Sequence, residues 1–304
     1  MKVVLCTGYG SPEVLKISDV PKPIPKTDEI LVRIQSTAVN SGDIRTRKLD
    51  VEGLLKIGMR LVMGWNRPRN PILGTVYSGI VENVGGSVKS FSSGDRVFGC
   101  SPGFKFGCYA EYISVEESTA IAVMPANANF DEAVSLLFGG TTALYFLNKA
   151  NPTSGQSILI YGASGAVGTS AVQVARNMGL IITAVSSGKN EKLVRSLGAE
   201  NFLDYTSDDF WDKAAQYDIV FDAVGKLNKK QLDSMTQRGG KNITVGSLDV
   251  AKETRQQLEQ IKEWFDSGKL KAVIDHTYPL DEIQEAHFYA EKGHKVGNVV
   301  IEIK

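Results

Sequence analysis

The chain has 304 residues, and its 34 Lys+Arg are balanced by 34 Asp+Glu, so the formal net charge is zero. At roughly 100–200 residues per domain this length suggests two domains, and the balanced charge argues against a domain-wide grip on nucleic acid or an anionic membrane. Every long apolar stretch stops well short of a bilayer span, and the first residues lack the charged-then-apolar layout of a secretory signal. Cys6, Cys100 and Cys108 form no disulfide framework, so a reducing, cytoplasmic setting is expected.

Residues 1–125 read as strands and turns. In "EILVRIQSTAVN" Ile30, Val32 and Ile34 share one face while Arg33 and Gln35 share the other. "TVYSGIVENVG", "GDRVFGC" and "YAEYISV" are further strands, separated by turns such as Gly85-Gly86 and Ser93-Gly94-Asp95. The proline-rich "VPKPIPKTDE" predicts an extended surface loop. From Asn129 the texture changes. Asn129-Phe130-Asp131-Glu132 is a capping-box pattern that opens a helix, and Gly139-Gly140 reads as a second turn ahead of the helix "TTALYFLNKA". Strand and helix then alternate, with strands at 157–161, 180–185, 201–204, 218–223 and 241–246. Helices are expected at 166–178, 190–197 (started by Asn190 and stopped by Gly198), 208–215 and 228–236. This alternation predicts a doubly wound parallel sheet. After a helix near 252–267, the tail "AVIDHTYPL", an amphipathic helix and "NVVIEIK" resemble the first texture again. The expected organisation is therefore α/β, with a β-rich domain of 1–125 plus 272–304 and a dinucleotide-binding domain of 126–271 inserted in it.

The segment "SILIYGASGAVGTSAVQVAR" carries the chemistry. An apolar strand aims a glycine turn at a helix N-terminus, where free amides receive an anion. Gly162, Ser164, Gly165, Ala166, Val167 and Gly168 form that turn. Gly165 lets the backbone approach a pyrophosphate, and Gly168 lets the helix pack on the strand. The rival reading is a tight turn with no ligand. A faint likeness to the G-x-S-x-G elbow of hydrolases fails because Ala166 replaces the last glycine. All three histidines (His276, His287, His294) also lie in the tail assigned to the other domain. At the end of the next strand stand Ser186, Ser187 and Lys189, with no carboxylate before Glu191. Hydroxyls and an ammonium suit a phosphate dianion, which favours NADPH over NADH. The plainer alternative is that Lys189 decorates a helix start.

These segments, together with "YGSPEVLKISDVPKP", "TAVNSGDIR", "RPRNPILGTVYSGIVENVG", "GGTTALYFL" and "VRSLGAENFLDYT", resemble the medium-chain dehydrogenase/reductase superfamily nearly end to end. The resemblance is to its zinc-independent quinone oxidoreductase (zeta-crystallin-like) and enone reductase branch. It implies a GroES-like catalytic domain plus a Rossmann domain. Zinc-dependent relatives have a cysteine in the segment matching Asn40-Ser41-Gly42-Asp43 and a His-Glu pair in the segment matching Gly74-Thr75-Val76-Tyr77. Here Asn40 and Thr75 stand there, and about three protein ligands for a catalytic zinc cannot be assembled. No metal is expected.

By resemblance Asn40 lies beside the nicotinamide, positioning cofactor or substrate; the alternative is a turn-forming asparagine. Thr142 matches a family threonine near the cofactor, or is a helix-start hydroxyl. Tyr205 is placed near the adenosine phosphate, or is a strand-end core tyrosine. Val224 and Gly246-Ser247 end the fourth and fifth strands, where ligands of open parallel sheets collect, and Asn298 resembles a cofactor contact. Some relatives carry a tyrosine near the Arg45 position as a suggested proton donor; here the donor stays unassigned. The loop around Met59, Met63 and Trp65 is either a substrate lid or an amphipathic surface helix.

Without a metal the carbonyl is polarised by hydrogen bonds, which suits quinones and α,β-unsaturated carbonyls. The expected function is an NADPH-dependent, metal-free reductase of a small quinone or enone, with no nucleic-acid or membrane partner. The alternative is an NADPH-binding sensor or structural protein without turnover. After "NITVGS" the sixth strand usual in the family is missing. That leaves the fifth strand as an edge to be covered, and leaves monomer or homodimer open.

Overall fold

The computed structural model describes residues 1–49, 53–103, 105–246 and 249–303. Its contacts form two compact units, one of 1–137, 254–262 and 274–304, the other of 138–253 and 263–273. No helix among the described residues is long and apolar enough to cross a membrane.

The first unit is built on a seven-stranded sheet centred on Glu29–Val39 and Val76–Val84, which pair antiparallel. The tail returns to this sheet: Asn298–Glu302 pairs antiparallel with Glu29–Val39, and Ile274–Pro279 lies outside it. Ile30, Val32 and Ile34 sit in the main apolar core with Tyr77, Val299 and Ile301, as their alternation predicts. Burial of such side chains supplies roughly 1.5–3 kcal/mol each. The Asn129 capping box is present, its side chain accepting from the Glu132 amide at 2.8 Å. The short helix it opens, Phe130–Ser135, packs on the strands of this unit rather than of the other: the Ser78 hydroxyl donates to the Phe130 carbonyl at 2.7 Å. The segment around Met59 is the helix Gly53–Met63, which turns Met63 into the core with Met59 against it and leaves Ile57, Leu61 and Val62 exposed.

The second unit is a five-stranded, all-parallel sheet. In spatial order its strands are Asn201–Asp204, Ile181–Ser186, Ser157–Tyr161, Tyr217–Asp222 and Thr236–Thr244. In chain order that is 3-2-1-4-5, so the order reverses between Ser157–Tyr161 and Tyr217–Asp222, the switch point at which open α/β sheets bind ligands. No sixth strand follows among the described residues. Thr236–Thr244 is therefore an edge, and it carries Arg238, Lys241 and two glycines, which discourage further pairing. Beyond it Asp249 is tied to the helix Leu137–Ala150, accepting from Tyr145 at 2.9 Å and Lys149 at 2.6 Å.

Three local expectations change. Gly139 and Gly140 are inside the Leu137–Ala150 helix, not in a turn, because that helix lies on the helix Ala166–Asn177. A Cβ on Gly139 would come within 2.2 Å of the Ala166 carbonyl oxygen. Thr142 is consequently a buried second-turn residue and not a helix-start hydroxyl. Asn190 does not cap its helix with its side chain. The chain enters Glu191–Leu197 through a 3-10 turn, Gly188–Asn190, and the Asn190 amide reaches back to the Ser187 hydroxyl at 3.3 Å. The helix expected at 208–215 is the single turn Phe210–Lys213.

Candidate cofactor and substrate sites

The glycine turn leaves the end of Ser157–Tyr161 beside the switch point. Gly162 and Ala163 donate their amides to the Val185 carbonyl at 3.0 and 2.9 Å, which fixes the turn to the neighbouring strand. Gly162 is left-handed (φ 78°), and a Cβ there would meet Val224 at 2.6 Å. Gly168 needs its hydrogen because a Cβ would lie 2.1 Å from the Gly162 carbonyl oxygen. Gly165 differs from both. Its φ is −79°, open to any residue, and the nearest heavy atom to an added Cβ is 3.6 Å away. Nothing in the protein's own packing requires glycine there. It is the N-cap of a 12-residue helix and gives that helix no side-chain cap. The amides of Ala166, Val167 and Gly168 have no intrahelical acceptor by the geometry of a first turn, so they and the dipole end suit an anion.

Asp222 completes this edge, and sequence reasoning passed over it. Buried at the end of its strand, it accepts from the amides of Val224 (3.1 Å), Gly225 (2.9 Å) and Leu227 (2.8 Å). Those bonds hold Val224 against Gly162. The signal was legible as a strand-terminal Asp followed by Ala-Val-Gly, a pattern for a side-chain-capped turn. Gly246 ends the fifth strand in a left-handed turn (φ 100°); Ser247 lies outside the described residues.

At the next strand end Ser186 is 1% exposed and turns its hydroxyl to the Ser187 carbonyl, whereas Ser187 is half-buried and its hydroxyl accepts from Asn190 Nδ2 at 3.3 Å. Lys189 is exposed on the following turn. Tyr205 is 46% exposed, tilted against Tyr161 with ring centroids 6.1 Å apart, and is therefore not a core tyrosine.

In the first unit Asn40, Thr75 and Asn298 gather at one end of the sheet, since Val299 pairs Val39 and Thr37 pairs Tyr77. Asn40 is the N-cap of helix Ser41–Lys48. Its Oδ1 accepts from the Asp43 amide at 3.1 Å, its own amide donates back to Asp43 at 3.2 Å, and Nδ2 donates to the Thr75 hydroxyl at 2.7 Å.

Behind the cap runs a buried polar chain with no local sequence signature. The Tyr109 hydroxyl bonds the Asp43 carboxyl and lies 3.2 Å from His287 Nε2, and Arg47 Nε donates to His287 Nδ1 at 3.3 Å. Arg47 also donates to the Gly10 carbonyl and pairs with Glu291, which Lys48 meets at 2.8 Å. An arginine can only donate, so His287 must be the Nε2–H tautomer that donates to Tyr109. Burial, and next the Arg47 charge, push the imidazole down to about 3. Burial pushes Asp43 up to about 7, against the opposing pull of hydrogen bonds from the Asn40 amide, the Tyr109 hydroxyl and the Gly74 amide.

These two shifts oppose each other. Folding holds a proton on Asp43 that the unfolded chain releases, so its contribution falls as pH rises from about 4 to about 7. Folding strips His287, so stability is lost as pH falls from about 6.5 towards about 3. Between pH 4.5 and 6 the slopes cancel. We expect Asp43→Asn to unmask His287, so that denaturant-measured stability falls by about 1.4 kcal/mol per pH unit of acidification in that window. An unchanged, flat profile would contradict the assignment.

The chain's relatives agree with this architecture. The alcohol dehydrogenase GroES-like domain profile matches residues 26–126, and two zinc-binding dehydrogenase profiles match residues 166–261 and 248–301. The chain is 34% identical to the 2-methylene-furan-3-one reductase of Solanum lycopersicum over 99% of its own length and 79% of that protein. It is 30% identical to the quinone oxidoreductase of Homo sapiens, covering 94% and 93%. The solved quinone oxidoreductase of Coxiella burnetii superposes with a TM-score of 0.84 at 25% identity, covering 100% and 99%. A glycine turn at the switch point of a parallel sheet, joined in one chain to a GroES-like unit, defines an oxidoreductase of the dinucleotide-dependent class. The chain belongs to the medium-chain dehydrogenase/reductase family, in its quinone oxidoreductase and enone reductase branch.

The zinc named in two of the matching profiles does not fit the donors at hand. Asn40 and Thr75, which the resemblance matches to the zinc-ligand segments of metal-dependent relatives, are neutral and bond each other. Cys6, Cys100 and Cys108 are buried thiols, and burial raises Cys6 and Cys108. Among the described residues no three His, Cys, Asp or Glu side chains converge to hold a metal.

Proposed function

We propose that this chain is an NADPH-dependent reductase that works without a metal and delivers hydride to a quinone or an α,β-unsaturated carbonyl. The observation that carries the reading is the Asn40–Thr75 hydrogen bond. It holds a preorganised amide at the position that the resemblance matches to a metal ligand of metal-dependent relatives. The names of the tomato and human relatives, a reductase of an unsaturated furanone and a quinone oxidoreductase, support the substrate class.

The bound dinucleotide supplies the hydride. In the second unit the first-turn amides at Ala166, Val167 and Gly168 bind its pyrophosphate over Gly165, with Ser164 at the rim. Val224 and Gly246 border the nicotinamide half. Ser187 and Lys189 take the 2′-phosphate, and Tyr205 covers the adenosine. In the first unit Asn40 and Asn298 are the cofactor and substrate contacts that the family resemblance implies. Asn40 Nδ2 has a second N–H that no hydrogen bond among the described residues uses. That donor, held by the Asp43 cap and by Thr75, stabilises negative charge gathering on a carbonyl oxygen. Thr142 is a cofactor neighbour by the family resemblance, and solvent serves as proton donor.

Lys189→Ala tests the cofactor half. Titration should show NADPH affinity falling about tenfold or more, for a lost charge-assisted contact, with NADH affinity unchanged. Equal losses for both would remove the 2′-phosphate assignment. Tight binding without turnover over a panel of quinones and enones would favour the sensor reading instead.

A further inference from the structure

The turn that carries Lys189 is held by a carboxylate from the adjacent strand. Asn201–Asp204 runs parallel to Ile181–Ser186 with Asp204 opposite Ser186, and the Tyr205 amide continues the ladder to the Ser186 carbonyl at 3.3 Å. Asp204 Oδ1 accepts from the Thr206 amide at 2.8 Å and the Thr206 hydroxyl at 2.7 Å. The other oxygen, Oδ2, lies against the Gly188 backbone, and the Thr206 bonds foremost, with the Gly188 amide adding to them, hold Asp204 below the usual carboxylate range, so it is charged. A Cβ on Gly188 would come within 2.6 Å of Asp204 Oδ2. The glycine is thus where the carboxylate closes on the backbone, one residue before Lys189 and one after Ser187.

A negative charge beside a phosphate pocket is electrostatically unfavourable. Its presence here calls for a compensating role, and the bonding supplies one. A carboxylate is the side chain that accepts from three donors at once; an asparagine of the same shape turns an N–H towards one of them. With its amide committed to Asp204, Gly188 fixes the course of the Ser187–Asn190 turn, and the Asn190 amide on the Ser187 hydroxyl braces it from the other side.

We propose that Asp204 is a positioning residue for cofactor choice: it ties down Gly188 and so holds Ser187 and Lys189 in the arrangement that receives the 2′-phosphate. The proposal rests on the NADPH reading given above. It predicts the sign of an effect that charge alone would reverse. Removing the carboxylate's charge favours NADPH by Coulomb's law, whereas loosening the turn disfavours it.

The test is a fluorescence titration of the full chain with NADPH and NADH, for the unaltered protein, Asp204→Asn, Gly188→Ala and Lys189→Ala. Asp204→Asn is expected to weaken NADPH about tenfold, the size of one lost charged hydrogen-bond arrangement, with NADH affinity and melting temperature unchanged. Gly188→Ala, which displaces the carboxylate from the other side, should give the same NADPH-selective loss. The double variant should lose no more than either single one. Tighter NADPH binding by Asp204→Asn, no change, or equal losses of NADPH and NADH would each overturn the proposal. If Lys189→Ala is also without a selective effect, the NADPH reading itself fails. If Lys189→Ala is selective and the other two variants are not, the positioning role alone fails.

Discussion

Gly165→Asp is expected to abolish dinucleotide binding in a protein that is no less stable than the original. The backbone at 165 accepts a side chain, with φ at −79° and 3.6 Å of clearance to the Gly162 carbonyl oxygen. Aspartate is a favoured N-cap, and its carboxylate would accept from the first-turn amides and gain about a few tenths of a kcal/mol over glycine. It would then occupy the anion site and repel a pyrophosphate. Affinity should fall by about 100-fold or more, the equivalent of roughly 3 kcal/mol, while the melting temperature holds or rises. Gly168→Ala makes the contrasting case. Its Cβ would lie 2.1 Å from the Gly162 carbonyl oxygen and 2.7 Å from Ala163 Cα, backbone that cannot swing aside. The cost should reach the upper end of the about 1–3 kcal/mol range for overpacking. Calorimetry with and without cofactor separates the two. If Gly165→Asp still binds, the glycine spacing marks only a tight turn.

Arg47→Met should destabilise the protein by about 3–5 kcal/mol, the cost of breaking a buried charge pair by removing one partner. Arg47 is 0% exposed and ties its own helix to two other segments: the loop at the Gly10 carbonyl, and the helix Ile283–Glu291 through His287 and Glu291. Methionine fills the volume but leaves Glu291, the Gly10 carbonyl and His287 Nδ1 without their donor. Lysine should not rescue it, because one ammonium cannot reproduce a planar fork aimed at three acceptors. Urea denaturation measures the loss. A change below about 1 kcal/mol would place Arg47 among weak surface pairs and would contradict the described network.

The alternating strand 29–39, the Asn129 cap, the Gly162–Gly168 turn and the parallel order behind it were all legible in the sequence. Each is a local pattern whose period or spacing states its own geometry. What stayed hidden depends on groups far apart in the chain. Arg47 meets His287 across 240 positions, and His287 meets Tyr109 across 178. Gly139 and Gly140 read as a turn because glycine marks turns more often than helix crossings, and only the approach of the Ala166–Asn177 helix explains them. Ser186 reads as a phosphate ligand because the sequence does not show strand register; paired opposite Asp204, it is buried and turns its hydroxyl to the Ser187 carbonyl. Asp204 and Asp222 were visible as Asp-Tyr-Thr and Asp-Ala-Val-Gly, yet read as strand ends rather than as clamps on neighbouring turns.

The central claim is hydride delivery from NADPH to a conjugated carbonyl with Asn40, not a metal, at the oxygen. It is tested most directly by following NADPH absorbance with a small quinone and an enone, using protein stripped by a strong chelator and assayed with and without added zinc. The account predicts turnover that survives chelation, is indifferent to zinc, and drops by about 100-fold or more in Asn40→Ala, the scale of one lost oxyanion donor. Activity that disappears on chelation and returns only with zinc would contradict it.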